Sequence, residues 1–247
     1  MSTRFFISPA VCSASDKDGT TILNVERGLV YSLIGIASRA WASLIQHPQG
    51  LTLEEIITSV DQGVPQIERR RLQVDTERLL VQLQQKELVH TTELHKPQKP
   101  ASEQALLCAI LKAVMSCVLE FRLNSFAAFL HLLLFDVTLS LGGFRVLHNI
   151  VRNWPLTETT TGCDEERMRA MSAPMERAIR CYPRNSLCLQ RSAALTCLLR
   201  NTGVPAEMVI ACRRIPFKGH AWVEVQGKVV NDSSRVQVVC NTVLSRC

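Results

Sequence analysis

The chain has no C-x-x-C pair, no dense block of Lys and Arg, no clean apolar run of membrane length and no internal repeat. The first absence leaves a zinc ribbon unsupported, because such sites take their thiolates in close pairs. The second weakens any case for nucleic acid. The net charge of +6 is thinly spread, and the tightest basic group, Arg69-Arg70-Arg71, reads as the solvated face of a helix. The third bears on membranes. The N-terminal apolar stretch from Phe5 to Val11 is short and interrupted by Pro9, unlike a secretory signal. Residues 126–147 are strongly apolar but contain His131, Asp136 and Arg145, so a buried helical hairpin turning at Gly142-Gly143 is expected instead of a span. A cytoplasmic location is the resulting expectation, with no metal and no cofactor.

What is present fits a packed protein of two domains. Its 247 residues are long for one compact unit, and a 47% hydrophobic, 20% charged composition excludes global disorder. Ten cysteines are scattered along the chain, and Cys108, Cys117, Cys197 and Cys212 sit inside apolar runs. That pattern describes small buried hydrophobes better than a disulfide framework.

The fold class expected is α+β. Residues 1–94 read as a winged-helix-like unit of three strands followed by three helices. Asp18-Gly19 suggests a hairpin turn between strands at 4–14 and 20–25, and Glu26-Arg27-Gly28 leads into a third strand, Leu29, Val30, Tyr31, Ser32, Leu33. A helix fits 36–45. Thr52 and Glu55 form a capping box that opens a second helix to about Val60. Pro65 suits the first turn of a third helix, with Ile67, Leu72, Leu79, Leu80 and Leu83 as its apolar set. The polar stretch 95–100 (HKPQKP) reads as a linker, and 101–247 as a second domain, helical at first through about Arg152.

The chemistry lies near the C-terminal end. Asn185 or Ser186 is a good N-cap, which puts Cys188 in the first turn of a helix running to about Arg200, with Gly203 just beyond. A thiol there faces unpaired backbone N–H groups and the positive end of the helix dipole, both of which favour the thiolate. The segment HAWVEVQGKVVND reads as a β-hairpin carrying His220 and Asp232. A two-residue loop, Gln226-Gly227, would place these two on opposite faces. A three-residue loop beginning at Val225 sets Glu224 against Lys228 and His220 against Asp232, and glycine placement, charge pairing and the chemistry of a His–Asp pair together favour it. Nucleophile, base and orienting carboxylate then follow in chain order as Cys188, His220 and Asp232. Singly, each residue has a plain structural explanation: a packed thiol, a core histidine beside Trp222, a turn aspartate beside Asn231.

Helix-borne Cys, strand-borne His and strand-borne Asp form the order of transglutaminase-like cysteine enzymes. Over CLQRSAALTCLLRNTGVPAEMVIACRRIPFKGHAWVEVQGKVVND the chain resembles the lasso-peptide maturation proteases called B proteins. HAWVEV and VND are the most specific elements. The resemblance implies a transglutaminase-like (papain-like) cysteine protease domain with a helical insertion before its core, and a catalytic triad of Cys188, His220 and Asp232. The N-terminal unit is similar to the PqqD-like precursor-recognition element, which makes this chain resemble the fused type. That implies leader binding along Leu29–Leu33 and the third helix, where Arg70 and Arg71 add positive charge. The implied partners are a lasso-peptide precursor, bound through its leader, and an ATP-dependent cyclase. Acyl transfer to an amine and a non-catalytic peptide-binding scaffold are the alternatives. Winged-helix topology alone does not support a nucleic-acid regulator.

Overall fold

The computed structural model describes residues 3–61, 66–91, 124–157, 165–183, 188–213 and 218–247. The expected linker, the expected helical stretch 101–123, Pro65 and the two N-cap candidates lie outside those residues. The chain divides into two compact units, Met1–Lys99 and Pro100–Cys247.

The first unit contains β1 (Arg4–Ile7), β2 (Val11–Asp16), β3 (Gly19–Asn24), β4 (Leu29–Leu33), α1 (Gly35–Gln46), β5 (Leu51–Thr52), α2 (Leu53–Val60), α3 (Gln66–Gln85) and β6 (Val89–Thr91). The first expected strand is in fact two. Pro9 brings no N–H to a ladder, and the chain turns there, with the Val11 N–H bonded to Ser8 O at 3.1 Å. β1 leaves for a separate sheet of order β5-β1-β6, while β2 stays in the sheet β2-β3-β4. Both expected hairpin turns are present. Asp16 Oδ1 accepts from the Asp18 N–H, and Asn24 Oδ1 accepts from the Glu26 and Arg27 N–H groups ahead of Gly28 at φ 64°.

The helices close over these sheets. α3 turns Leu72, Thr76, Leu80 and Leu83 inward at helical spacing, and they meet Ile22, Trp41, Leu44 and Ile56 in one core. Leu79 packs at its margin. Buried Trp41 donates its indole N–H to Ser13 Oγ at 3.1 Å, so its one polar group is satisfied.

The second unit contains α4 (Ser125–Arg152), α5 (Glu165–Cys181), α6 (Cys188–Asn201), β7 (Ala206–Arg213), β8 (Lys218–Val225), β9 (Lys228–Val229), α7 (Val236–Val239) and β10 (Thr242–Arg246). The hairpin expected at Gly142-Gly143 takes the form of a break in α4, where Gly143 has φ 70° and ψ −173°. By length and composition α4 is the one helix among the described residues that could cross a membrane. Two of the polar residues in its apolar stretch, His131 and Asp136, are nonetheless buried and bonded inside the unit. His131 Nδ1–H donates to Ala127 O at 2.8 Å, and Asp136 Oδ2 accepts from the Tyr182 hydroxyl at 2.9 Å. The sheet runs antiparallel in the order β10-β7-β8-β9. α6 packs against β7, β8 and α4, and from Ser192 to Leu199 every residue is buried, as befits a core helix.

Thr52 shows how local sequence sets these ends. Its hydroxyl accepts from the Glu55 N–H at 3.3 Å, and Glu55 Oε2 accepts from the Thr52 N–H at 2.8 Å. Thr52→Ala should lower unfolding stability by about 1 kcal/mol, read from denaturant melts. A variant as stable as the parent would mean that α2 is held by packing alone.

Candidate active site

Cys188 is the first residue of α6 and is half-buried. α6 runs one residue past the expected end, and Gly203 follows at φ 79°, where its N–H bonds Arg200 O. The start of this helix is where backbone N–H groups lack helical partners.

His220 and Asp232 are brought together. His220 Nε2–H donates to Asp232 Oδ2 at 2.6 Å, with both side chains partly exposed. The register expected for this contact is corrected by the structure. Val225 faces Lys228 and Glu224 faces Val229, so the loop is the two-residue Gln226-Gly227. Both loop residues take positive φ, 51° and 76°, the arrangement whose twist matches the flanking strands. The charge pair Glu224–Lys228 is not formed across the ladder. The histidine and aspartate still meet because β9 is only two residues long. The Val230 N–H reaches Val223 O at 2.9 Å, but the return bond, from the Val223 N–H, goes to the side chain of Asn231 at 2.8 Å. Face parity ends there, and the main chain bends. The Ser233 N–H then holds Asp232 Oδ1 at 2.6 Å.

Cys240 is buried at the end of α7. Burial pushes its thiol up; Lys218 and Arg213 pull it down, while Asp232 and Cys188 push it up. On β8, His220 stacks against Trp222 at 6.3 Å between ring centroids.

Sequence reasoning missed two clusters. Glu224 is buried and accepts from Trp222 Nε1–H, Gln237 Nε2 and Arg246 Nη1 at 2.7, 2.8 and 2.6 Å. Burial alone would push its carboxyl up, but these three donors outweigh that and hold it below its ordinary value of 4.5. Arg246 comes from a strand that no local signal marked. Asp136, noticed only as an interruption of an apolar run, accepts from Tyr182 at the end of α5 and from Gln190 Nε2 in the first turn of α6.

In the first unit, β4 carries Leu29, Val30, Tyr31, Ser32 and Leu33 as the outer strand of its sheet. Leu29 and the following Ile34 are exposed, as are Val74 and Val81 on α3. Lys86, just past α3, lies 4.8 Å over the Tyr31 ring. Arg70 and Arg71 are exposed on α3, Arg71 within 4.0 Å of Asp75, and Arg69 is paired with Asp61. Among the described residues no group of three His, Cys, Asp or Glu is placed to hold a metal.

Two family profiles match. Residues 131–241 fit the transglutaminase-like superfamily, and residues 19–89 fit coenzyme PQQ synthesis protein D (PqqD). Over 50 residues the chain is 42% identical to the microcin J25-processing protein McjB of Escherichia coli, which is 20% of this chain and 24% of that protein. The match thus spans about a quarter of that relative's length. Among solved structures, TbiB1 in complex with the TbiA(beta) leader peptide aligns at 28% identity over 34% of this chain and 94% of that one, with a TM-score of 0.31.

The Glu224 cluster makes a pH-dependent contribution to stability. A carboxyl depressed in the folded state stabilises fully above its unfolded value and loses that effect as pH falls through the folded one. The melting-temperature gap between the parent and Glu224→Gln should therefore be widest near neutrality and narrow below pH 4.5. A constant gap across the acid range would show that the network does not use the carboxylate charge.

Proposed function

For a chain that joins a PqqD domain to a transglutaminase-like domain, we propose the role of a fused B protein: a leader peptidase of lasso-peptide maturation. Residues 1–94 hold the leader of the precursor, and residues 101–247 cut the leader–core bond. The observation that carries this reading is the 2.6 Å bond from His220 to Asp232 beside a helix that opens with Cys188. The short stretch shared with McjB, a protein that processes microcin J25, supports the class of substrate.

In this mechanism Asp232 occupies His220 Nε2, which leaves Nδ1 to take the thiol proton. Cys188 Sγ attacks the carbonyl carbon of the last leader residue. Backbone N–H groups of the first turn of α6 stabilise the oxyanion. His220 gives its proton to the departing core amine, and the leader remains as a thioester on Cys188. Water, deprotonated by His220, releases it. The products are a leader carboxylate and a core with a free α-amine, the group that a separate ATP-dependent cyclase consumes in closing an isopeptide ring.

Leader capture follows from strand physics. Among the described residues β4 pairs with β3 alone as a strand, and its far edge along Leu29, Val30 and Tyr31 is where a peptide would add as a further strand. The exposed apolar residues Leu29, Val74 and Val81 supply contacts for its side chains. Arg70 and Arg71 add little by comparison, because exposed ion pairs contribute about 0–1 kcal/mol each.

Incubation with a precursor, followed by mass spectrometry, tests the chemistry. Cys188→Ala should abolish cleavage and keep leader binding, and Asp232→Asn should slow turnover by roughly 10³–10⁴-fold with the fold intact. Normal turnover by Cys188→Ala would remove the assignment, as would its loss in Cys181→Ala alone. For recognition, residues 1–95 should bind leader about as well as the full chain, and proline at Val30 or Tyr31 should weaken it. Calorimetry decides: a folded but non-binding N-terminal unit would place recognition elsewhere.

A further inference from the structure

Ser192 lies one helical turn after Cys188 on α6 and is fully buried. Buried serines and threonines in helices commonly bond back to the carbonyl four residues earlier, as Thr138 does in α4. Ser192 instead donates its hydroxyl across to β8, to Ala221 O at 3.0 Å. The same oxygen accepts from Asn231 Nδ2 at 3.1 Å. Asn231 in turn spends its other end on the Val223 N–H at 2.8 Å. One hydroxyl and one amide thus join three elements: the helix of Cys188, the strand of His220 and the bend of Asp232. Two of the contacts fall on the immediate neighbours, Ala221 beside His220 and Asn231 beside Asp232.

An apolar pair could fill this space. It could not fix the sliding of α6 along β8, nor stop the β9 ladder where it stops. Hydrogen bonds at about 3 Å with fixed donor and acceptor roles do both, and they tolerate little displacement. We propose that Ser192 and Asn231 are positioning residues that hold the nucleophile, base and carboxylate in mutual register before substrate arrives. This rests on the triad assignment above.

The test uses the full chain with Ser192→Ala and Asn231→Asp, singly and together. Asn231→Asp is isosteric and keeps the acceptor for the Val223 N–H, but loses the donor to Ser192. Three quantities are measured: alkylation of Cys188 by iodoacetamide at neutral pH, followed on its own peptide by mass spectrometry; kcat and KM for leader cleavage; and melting temperature. Exposed Cys181 serves as the internal reference thiol. Each single variant should lower Cys188 alkylation and kcat by roughly ten- to a hundredfold, with KM unchanged. The double variant should lose no more than the worse single one, because both break the same chain of bonds. Variants whose melting temperature falls while alkylation and kcat stay at parental values would overturn the proposal, as would additive losses. Should Ser192→Ala fail to fold, Asn231→Asp alone decides. A parent protein whose Cys188 reacts no faster than Cys181 would overturn the triad itself, and the positioning role with it.

Discussion

Two residues after the Gln226-Gly227 turn the β8–β9 ladder ends, and His220 meets Asp232 because it ends there. Side chains on a strand alternate faces, so a continued ladder in the observed register would carry the two to opposite sides of the sheet. Asn231 prevents this by substituting its side chain for a main-chain acceptor at Val223. The backbone is released, bends, and is caught again by the Ser233 N–H on Asp232. Everything proposed for the site depends on that substitution: which imidazole nitrogen is occupied, which is left for the thiol, and how near the bend lies to the start of α6.

The candidate residues were legible in the sequence for one reason, and the geometry was not for another. A cysteine at a helix start, followed by His and Asp on a strand pair, is a chemical order that composition does not produce easily. Glycine placement and a Glu224–Lys228 charge pair point to the wrong hairpin register because both are local, and the need to bring His220 to Asp232 points to it because it assumes an unbroken ladder. Glu224 answered instead to Arg246, on a strand 22 residues further on. In the N-terminal unit the capping box at Thr52 and the apolar set of α3 could be read directly, since their determinants lie within a few residues. The split of the first strand could not be read from its apolar pattern, although Pro9 was the signal. Residues of β1 pair with β5 and β6, whose short segments carry no signature of their own.

Among the described residues of the second unit, several buried polar groups lie around the proposed site. Asp136 bridges the end of α5 and the first turn of α6, on either side of the segment that leads to Cys188. Ser192 and Asn231 bridge α6 to β8 and the bend. Buried polar groups are costly unless bonded, so an apolar core would be the simpler solution for stability alone. What bonded groups add is a defined separation between elements, which hydrophobic contact leaves looser.

An open strand edge does not distinguish a leader from any other extended chain. The first half of β4, Leu29 to Tyr31, would meet the corresponding edge of a second molecule in the same way, and exposed Leu29 and Ile34 would be covered in either case. Two copies joined edge to edge would form a six-stranded sheet and be unable to take substrate. If the leader binds there as proposed, edge-to-edge pairing of two copies would compete with it for one surface, and at high concentration without precursor the protein would then act as its own inhibitor.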